Sequence, residues 1–193
     1  MRPPTYTRTA VSLHWAIGLL ILAAFPLGLY MHALSLSPNK LKLFSYHKWI
    51  GITVLVLAVV RLAWRLIHRP PGLPSAMPRW EQFAALAMHQ LLYALLFAVP
   101  LSGWVMSSAT GFQTVWFGVI PLPDLVGRDK EFGQFLLTLH ANLNYLLTAL
   151  VGVHIAAALK HHFFVHDYVL IHMLPFLRKS DATSAENPFP HSK

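Results

Sequence analysis

The chain has 193 residues, of which 55% are hydrophobic and only 11% are charged. Because a soluble domain usually carries about 25% charged residues, this composition excludes an ordinary soluble domain and is typical of an integral membrane protein. Basic residues outnumber acidic ones by 15 to 7, but most of them border apolar segments, which indicates membrane topology and lipid contact and excludes nucleic acid as the partner.

Four apolar segments follow one another along the chain and predict four transmembrane helices, at roughly 13–34, 47–67, 83–109 and 133–162. No charged side chain lies between Glu81 and Asp124 or between Phe132 and Leu159, whereas soluble helices of that length show a charged face. The first segment is too long for a secretory signal and lacks its cleavage pattern, so we expect a retained anchor. The predicted fold class is an all-α integral membrane protein, a four-transmembrane-helix bundle.

The connections between these segments have distinct compositions. Residues 68–74 include three prolines and a glycine, which excludes a helix there and separates the second and third segments. The loop between the third and fourth segments contains Trp116, Phe117, Pro121 and Pro123, a composition that favours a segment lying at the membrane interface. We therefore predict one membrane domain over 1–177 and a polar, disordered cytoplasmic tail over 178–193.

The distribution of basic residues predicts the orientation of the bundle. With the N-terminus in the cytoplasm, ten of the 15 lysines and arginines lie on the inner side. The outer side then holds Lys40, Lys42, Lys48, Arg128 and Lys130. Since cytoplasmic loops carry the excess of positive charge, both termini are expected to be cytoplasmic.

Four histidines fall at two depths of this predicted bundle. His140 and His154 are 14 residues apart in the fourth segment, which on a helix is about four turns and about 21 Å, so both lie on nearly the same face. His14 begins the first segment on the inner side and matches His154 in depth. His47 begins the second segment on the outer side and matches His140.

Two such pairs predict two stacked haem groups, each with its iron held by two imidazoles from facing helices. The sequence contains no cysteine, so the haems would be non-covalent b haems. Gly18 and Gly51 follow His14 and His47 by four residues and would leave room for a flat macrocycle one turn away. Since two axial histidines leave no position for oxygen, the arrangement favours electron transfer.

Three alternatives remain open on this reasoning. His89 starts the third segment on the inner side and could replace His14 as an axial ligand. His161 follows His154 by seven residues and could carry protons or contact a quinone, or be an ordinary interfacial histidine. A haem-free divalent-metal carrier is a function of another class, although the spans place no carboxylate at depth to serve such a metal.

Several stretches resemble the prokaryotic cytochrome b561 family of four-helix, two-haem membrane proteins. They are LHW at 13–15, HKWIG at 47–51, RLAWR at 61–65, HQLLY at 89–93, PLSGW at 100–104, HIAAALKHH at 154–162 and MLP at 173–175. Together they cover nearly the whole chain from residue 6 to residue 175.

The resemblance implies iron ligation by His14, His47, His140 and His154, electron exchange with the quinone pool, and a bacterial inner-membrane location. Some members oxidise superoxide at the outer face and reduce ubiquinone, whereas others are electron-transfer subunits of dehydrogenases or hydrogenases. We expect the first activity, a superoxide:ubiquinone oxidoreductase, and keep the partner subunit as the alternative.

Three outer lysines fit a superoxide donor. Lys40, Lys42 and Lys48 lie beside the predicted outer haem, where their positive charge could raise the local concentration of a small anion. Contact with lipid phosphates is the alternative interpretation of the same three residues.

Overall fold

The structure, a computed structural model, describes residues 6–68, 71–72, 77–165, 170 and 173–174. The predicted tail over 178–193 and most of the proline-rich linker lie outside these residues. The described chain forms four long helices, a π-helical turn and a two-stranded antiparallel hairpin: α1 Arg8–Ala33, α2 Pro38–Ile67, α3 Arg79–Ala109, β1 Val115–Trp116, β2 Ile120–Pro121, α4 Lys130–Lys160 and the π turn His161–Val165. All four helices are long and apolar enough to cross a membrane, which confirms the predicted fold class.

Each helix begins before the apolar segment that predicted it, by three to nine residues. For α1, α2 and α4 the reason is local capping, which makes a polar first turn helical. The side-chain oxygens of Thr7, Ser37 and Asp129 accept hydrogen bonds from backbone N–H groups three residues later. In α2 the first position is also Pro38, whose fixed φ suits a helix start.

Successive helices run in opposite directions and pack against each other, α1 on α2, α2 on α3, and α3 on α4. One end of the bundle therefore holds the starts of α1 and α3 and is called here the N-terminal face. The other end holds the two short strands and is called the hairpin face. The buried contacts between helices centre on two small apolar clusters, Ile17, Val54, Ala58 and Leu96, and Leu95, Val99 and Leu147.

Helix α4 approaches α1 and α2 in a different way. In the described part of the chain, neither pair of helices has the extended close backbone packing that joins successive helices. They meet through side chains instead, for example through the Phe25 and Tyr145 rings, whose centroids are 6.0 Å apart. A space wide enough for side chains thus separates α4 from α1 and α2.

The loop that was predicted to lie at the membrane interface forms the hairpin and is fastened to α2. The indole of Trp49 donates to the carbonyl oxygen of Val115 at 2.7 Å, and that of Trp116 donates to Oγ1 of Thr53 at 3.2 Å. The Lys48 ammonium donates to the carbonyl oxygen of Phe112 at 2.8 Å. These bonds hold the hairpin over the end of the bundle that contains His47.

Candidate haem-binding sites

The first histidine pair lies at the hairpin face, between α2 and α4. The ring centroids of His47 and His140 are 6.2 Å apart and the ring planes are nearly perpendicular, at 88°. Both rings line a cavity between the four helices whose other walls are largely apolar, among them Gly51, Val54 and Leu147. The pair therefore spans the helices that lack close backbone packing.

This separation fits two imidazoles that share one metal ion. A metal–imidazole bond is about 2 Å long and the ring centre lies about 1 Å further, so two axial imidazoles on opposite sides have centres about 6 Å apart. The observed 6.2 Å agrees with that value. Direct contact between the rings is not needed to explain their arrangement.

The imidazole of His140 is held by two oxygen atoms of α3. Its Nδ1 lies 3.0 Å from Oγ of Ser102 and 3.1 Å from the carbonyl oxygen of Val99. The Ser102 hydroxyl already donates to that same carbonyl at 2.8 Å, and a carbonyl can only accept. Nδ1 must therefore carry the proton, which leaves the Nε2 lone pair for a metal.

The imidazole of His47 is less well satisfied. Among the described residues, its Nδ1 is the one buried side-chain nitrogen or oxygen without a hydrogen-bond partner, although the backbone of Ala24 approaches the same ring. An unsatisfied buried polar atom costs about 1–3 kcal/mol. A group bound between the helices that reorients this ring would relieve that cost, so the orphan nitrogen supports a site for a further group here.

Glycines border both rings of this pair. A Cβ atom on Gly103 would lie 3.0 Å from Cε1 of His140, and one on Gly28 would lie 3.2 Å from Cε1 of His47. Neither glycine was predicted to matter. Gly18 and Gly51 were predicted to leave room for a macrocycle. A Cβ on either would meet no atom within 4 Å, so open space lies beside both.

The second cluster lies at the N-terminal face and contains three histidines. The ring centroids of His14 and His154 are 6.2 Å apart, at an angle of 70°. His89 of α3 approaches the same His154 ring at 5.6 Å and 71°. The structure thus brings together the predicted pair and its predicted competitor, and the choice between His14 and His89 stays open.

Two arginines of α2 lie beside this second cluster. Arg61 donates to the carbonyl oxygen of Ala10 at 2.8 Å and to the Tyr93 hydroxyl at 3.2 Å. The guanidinium of Arg65 lies 5.3 Å from the centre of the Tyr93 ring. Since Tyr93 follows His89 by one turn, these contacts place two positive charges near the three imidazoles.

His161 lies at the same face, at the point where α4 changes into the π turn. Its Nε2 is 3.7 Å from one carboxylate oxygen of Glu81, and Lys160 binds the other oxygen at 2.9 Å. Sequence reasoning did not single out Glu81. A signal was nevertheless present, because Glu81 is the acidic residue that opens the long charge-free stretch of the third segment.

The three lysines that were expected to attract superoxide all lie at the hairpin face. The Lys40 ammonium donates to the carbonyl oxygen of Leu34 at 2.5 Å, and Lys48 binds the hairpin as described above. Lys42 is exposed. Carbonyl contacts leave the charge of an ammonium group intact, so the positive charge of this face remains.

The metal-carrier alternative gains no support from the geometry. Within the described ranges, no three histidine, aspartate or glutamate side chains are arranged to hold a bare metal ion. The histidines occur instead as pairs of rings whose centroids are 6.2 Å apart, with His89 as a third ring beside one pair.

Comparison with known proteins gives consistent matches along nearly the whole chain. A family model described as prokaryotic cytochrome b561 matches residues 5–176. Cytochrome b561 homolog 2 of Escherichia coli (strain K12) is 36% identical over 174 residues, which cover 89% of this chain and 92% of that protein. Cytochrome b561 homolog 1 of the same strain is 30% identical over 183 residues, covering 88% and 97%. A Yersinia pestis protein named probable superoxide oxidase CybB is 28% identical over 184 residues, covering 88% and 96%.

Proposed function

The chain belongs to the prokaryotic cytochrome b561 family of membrane electron-transfer proteins, whose name implies b-type haem, and we propose that it holds two haems, one at each histidine pair. The observation that carries this proposal is the repeated geometry of the pairs. His14 with His154 and His47 with His140 have the same 6.2 Å between ring centroids, although they join different helices.

The four histidines would be the axial ligands, with His140 and His154 both supplied by α4. Haem iron bound at these pairs supplies a one-electron carrier near each membrane face. The residues around it fix its ligands, as Ser102 and Val99 do for His140. With both imidazoles of a pair bound to it, the haem would supply electron transfer rather than oxygen binding.

The proposed reaction transfers single electrons from a donor at the hairpin face to membrane quinone, ubiquinone being the favoured acceptor. Superoxide is the favoured donor, since one relative is named as a probable superoxide oxidase and three lysines lie at this face. Two superoxide anions would supply two electrons and leave as dioxygen. One quinone would take those electrons with two protons and leave as quinol.

The distribution of basic residues supports an orientation for this reaction. By sequence position, ten of the 15 basic residues fall before the first span, from the last turns of the second span to the start of the third, or after the middle of the fourth, which favours a cytoplasmic location for both termini in a bacterial inner membrane. The hairpin face would then be outside, where superoxide arises, and His161 would lie on the inner side, where protons are taken up.

Haem content tests the two-site proposal. Intact purified protein should contain two haems per chain, and acidified organic solvent should extract both because no cysteine tethers them. Replacing His140 with alanine should leave one haem per chain, since the second pair lies about four turns away. A wild-type value of one haem per chain would reject the proposal.

The superoxide step is tested by rapid mixing of superoxide with the oxidised protein. Haem reduction should slow as salt rises, because charges more than about 8 Å apart are largely screened at physiological ionic strength. A triple variant, Lys40→Gln with Lys42→Gln and Lys48→Gln, should lower the low-salt rate by about tenfold.

Matched charge removal at the other end provides the control. Arg8 and Arg79 are exposed at the N-terminal face, and their substitution by glutamine should leave the superoxide rate unchanged. A rate that responds neither to salt nor to the three lysines would end the steering proposal. No haem reduction at all would exclude superoxide as the donor.

The second candidate function is an electron-transfer subunit for a dehydrogenase or hydrogenase. One observation favours it, namely that the hairpin face exposes apolar side chains to the extent of 62% for Phe112, 56% for Phe117 and 78% for Val119. Such a patch suits a protein partner or the membrane interface. Co-purification of a stable redox partner, together with no reduction by superoxide, would favour this candidate.

A further inference from the structure

An acid–base cluster joins α3 to the end of α4 at the N-terminal face. One oxygen of the Glu81 carboxylate lies 2.9 Å from the Lys160 ammonium, and the other lies 3.7 Å from Nε2 of His161. The side chains of Glu81 and His161 are 17% and 13% exposed, whereas that of Lys160 is 51% exposed. The carboxylate thus bridges a cation that faces solvent and an imidazole that is mostly covered.

Glu81 has no acidic neighbour at this face among the residues that the structure describes. The other described carboxylates, Asp124, Asp129 and Glu131, all lie beyond the far end of α3 or at the start of α4. The cations of this part of the N-terminal face are Lys160, whose ammonium binds Glu81, and Arg79, two residues before Glu81 on α3. Glu81 is therefore the one carboxylate at this face among the described residues.

The cluster lies between the second histidine site and the membrane surface. His161 is seven residues beyond His154, about 10 Å along α4, and Glu81 is eight residues before His89 on the facing helix. Helix α3 has 31 residues and is about 46 Å long, so its first turn extends beyond a hydrocarbon core of about 30 Å. From helix length alone, we therefore expect Glu81 near the boundary between water and membrane.

The backbone changes at the same point. The α-helix ends at Lys160 and continues as a π turn from His161 to Val165. Such π turns are uncommon and are found frequently at functional sites. The turn carries the imidazole that faces Glu81, so the two observations concern one location.

We propose that Glu81 is a proton-relay residue, which takes up protons from the aqueous phase at the N-terminal face and passes them to His161. This inference rests on the proposed quinone reduction and assigns the last proton transfer, to the quinone, to His161. For each proton delivered, water protonates a carboxylate oxygen of Glu81, Glu81 passes a proton to the ring nitrogen of His161 that faces it, and the imidazolium releases a proton from its other ring nitrogen to a quinone oxygen. Two such transfers accompany the two electrons from the external donor, and Glu81 ends each cycle deprotonated beside Lys160.

The competing explanation is a structural ion pair, in which Glu81 and Lys160 only tie α3 to α4. The two explanations differ in which atoms matter. A relay needs the carboxylate and His161 and tolerates loss of the Lys160 ammonium. A structural pair needs both charged partners equally.

The experiment starts from the haem-loaded protein reduced with a stoichiometric chemical reductant, which makes the result independent of superoxide. Mixing with a short-chain ubiquinone, in H2O and in D2O, gives the rate of haem reoxidation and its solvent isotope effect. Glu81→Gln should slow reoxidation by about tenfold or more and raise the isotope effect, because proton delivery becomes limiting. Glu81→Asp should restore most of the rate, and Lys160→Gln should stay within about twofold of wild type.

Glu131→Gln is the matched control, since it removes the same chemical group from the opposite face. Haem content checks that each variant is folded. As a second readout, infrared spectra recorded during reoxidation by the quinone should contain a transient carboxyl signal that Glu81→Gln lacks. That signal would assign a change of protonation to Glu81 itself.

The possible failures are distinguishable. If quinone does not reoxidise the reduced wild type, the proposed quinone reduction is wrong and the relay falls with it. If wild type reacts and Glu81→Gln matches it in rate and isotope effect, only the relay is wrong. Equal slowing in Glu81→Gln and Lys160→Gln would assign a structural ion pair and overturn the relay.

Discussion

The two histidine sites have the same spacing of their predicted ligands but very different surroundings. At the hairpin face, Ser102 and Val99 hold the His140 ring, and the hairpin is fastened above the pair. At the N-terminal face, a third imidazole, His89, approaches His154 and charged groups lie nearby. The first site has one ring held by hydrogen bonds and one histidine pair, whereas the second has three histidines that approach one another.

The difference matches the two halves of the proposed reaction. Taking an electron from a small anion requires no proton, so a site covered by the hairpin, with lysines at the same face, is sufficient. Reduction of a quinone consumes protons, so ionisable groups must lie close to the second site. Glu81 and His161 lie at that end of the bundle.

The largest expected effect follows from the third imidazole. His47→Ala should remove one haem of two, because the hairpin-face pair has no neighbouring histidine to replace it among the described residues. His14→Ala should keep close to two haems with an altered absorption spectrum. The reason is that His89 lies 5.6 Å from His154 and can replace His14 as the second iron ligand. Only the double variant, His14→Ala with His89→Ala, should fall to one haem.

Quantitative haem assay of the three variants measures this contrast. Loss of a whole haem in the single His14→Ala variant would show that His89 does not reach the iron. Each site would then depend on both of its predicted ligands. The remaining difference between the two sites would be the ionisable groups near the second one.

The depth of residues along the membrane could be predicted from the sequence, because it depends only on helix length. Charge-free stretches predicted four helices, which the structure confirms. Equal depth indicated which histidines would face each other, and the structure brings both pairs together. Their role as iron ligands stays a prediction.

The rotation of each helix about its axis could not be predicted in the same way. Gly28, Gly103 and Ser102 matter because of the direction in which they point toward a ring on another helix. Weak amphipathicity gives no signal for that direction when lipid covers most of the surface. The pairing of Glu81 with His161 likewise depends on how α3 and α4 face each other.

An intermediate effect is expected from filling the space beside a ring. Gly103→Ala would place a Cβ 3.0 Å from Cε1 of His140, so the ring must shift by a few tenths of an ångström. Overpacking of this kind costs about 1–3 kcal/mol, so we expect a lower melting temperature and a changed haem spectrum at one site. Gly152→Ala on α4 is the control, since its Cβ would meet no atom within 4 Å.

Gly28→Ala extends the test to the other ring of the pair. Its Cβ would lie 3.2 Å from Cε1 of His47, so its effect should be smaller than that of Gly103→Ala. Equal stability of the Gly103 and Gly152 variants would show that the hairpin-face site is not tightly fitted, contrary to the comparison above.

The smallest expected effect concerns the hydroxyl that holds His140. In Ser102→Ala the imidazole Nδ1–H keeps the Val99 carbonyl as acceptor, 3.1 Å away, and loses the second one. A hydrogen bond is worth about 1 kcal/mol, which for one electron corresponds to about 40 mV. Loss of the Ser102 acceptor makes the His140 imidazole a poorer electron donor to iron. The reduction potential of one haem should therefore rise by up to about that amount.

A redox titration followed by absorbance measures both potentials in one sample. Only one of the two transitions should move, since Ser102 contacts the ligand of a single site. Ser45→Ala is the control, because the Ser45 hydroxyl binds only the carbonyl oxygen of Leu41 within its own helix. If both transitions shift together, the serine acts on the bundle as a whole. A specific shift would show instead that the two sites, alike in their predicted ligands, are tuned separately by the residues behind them.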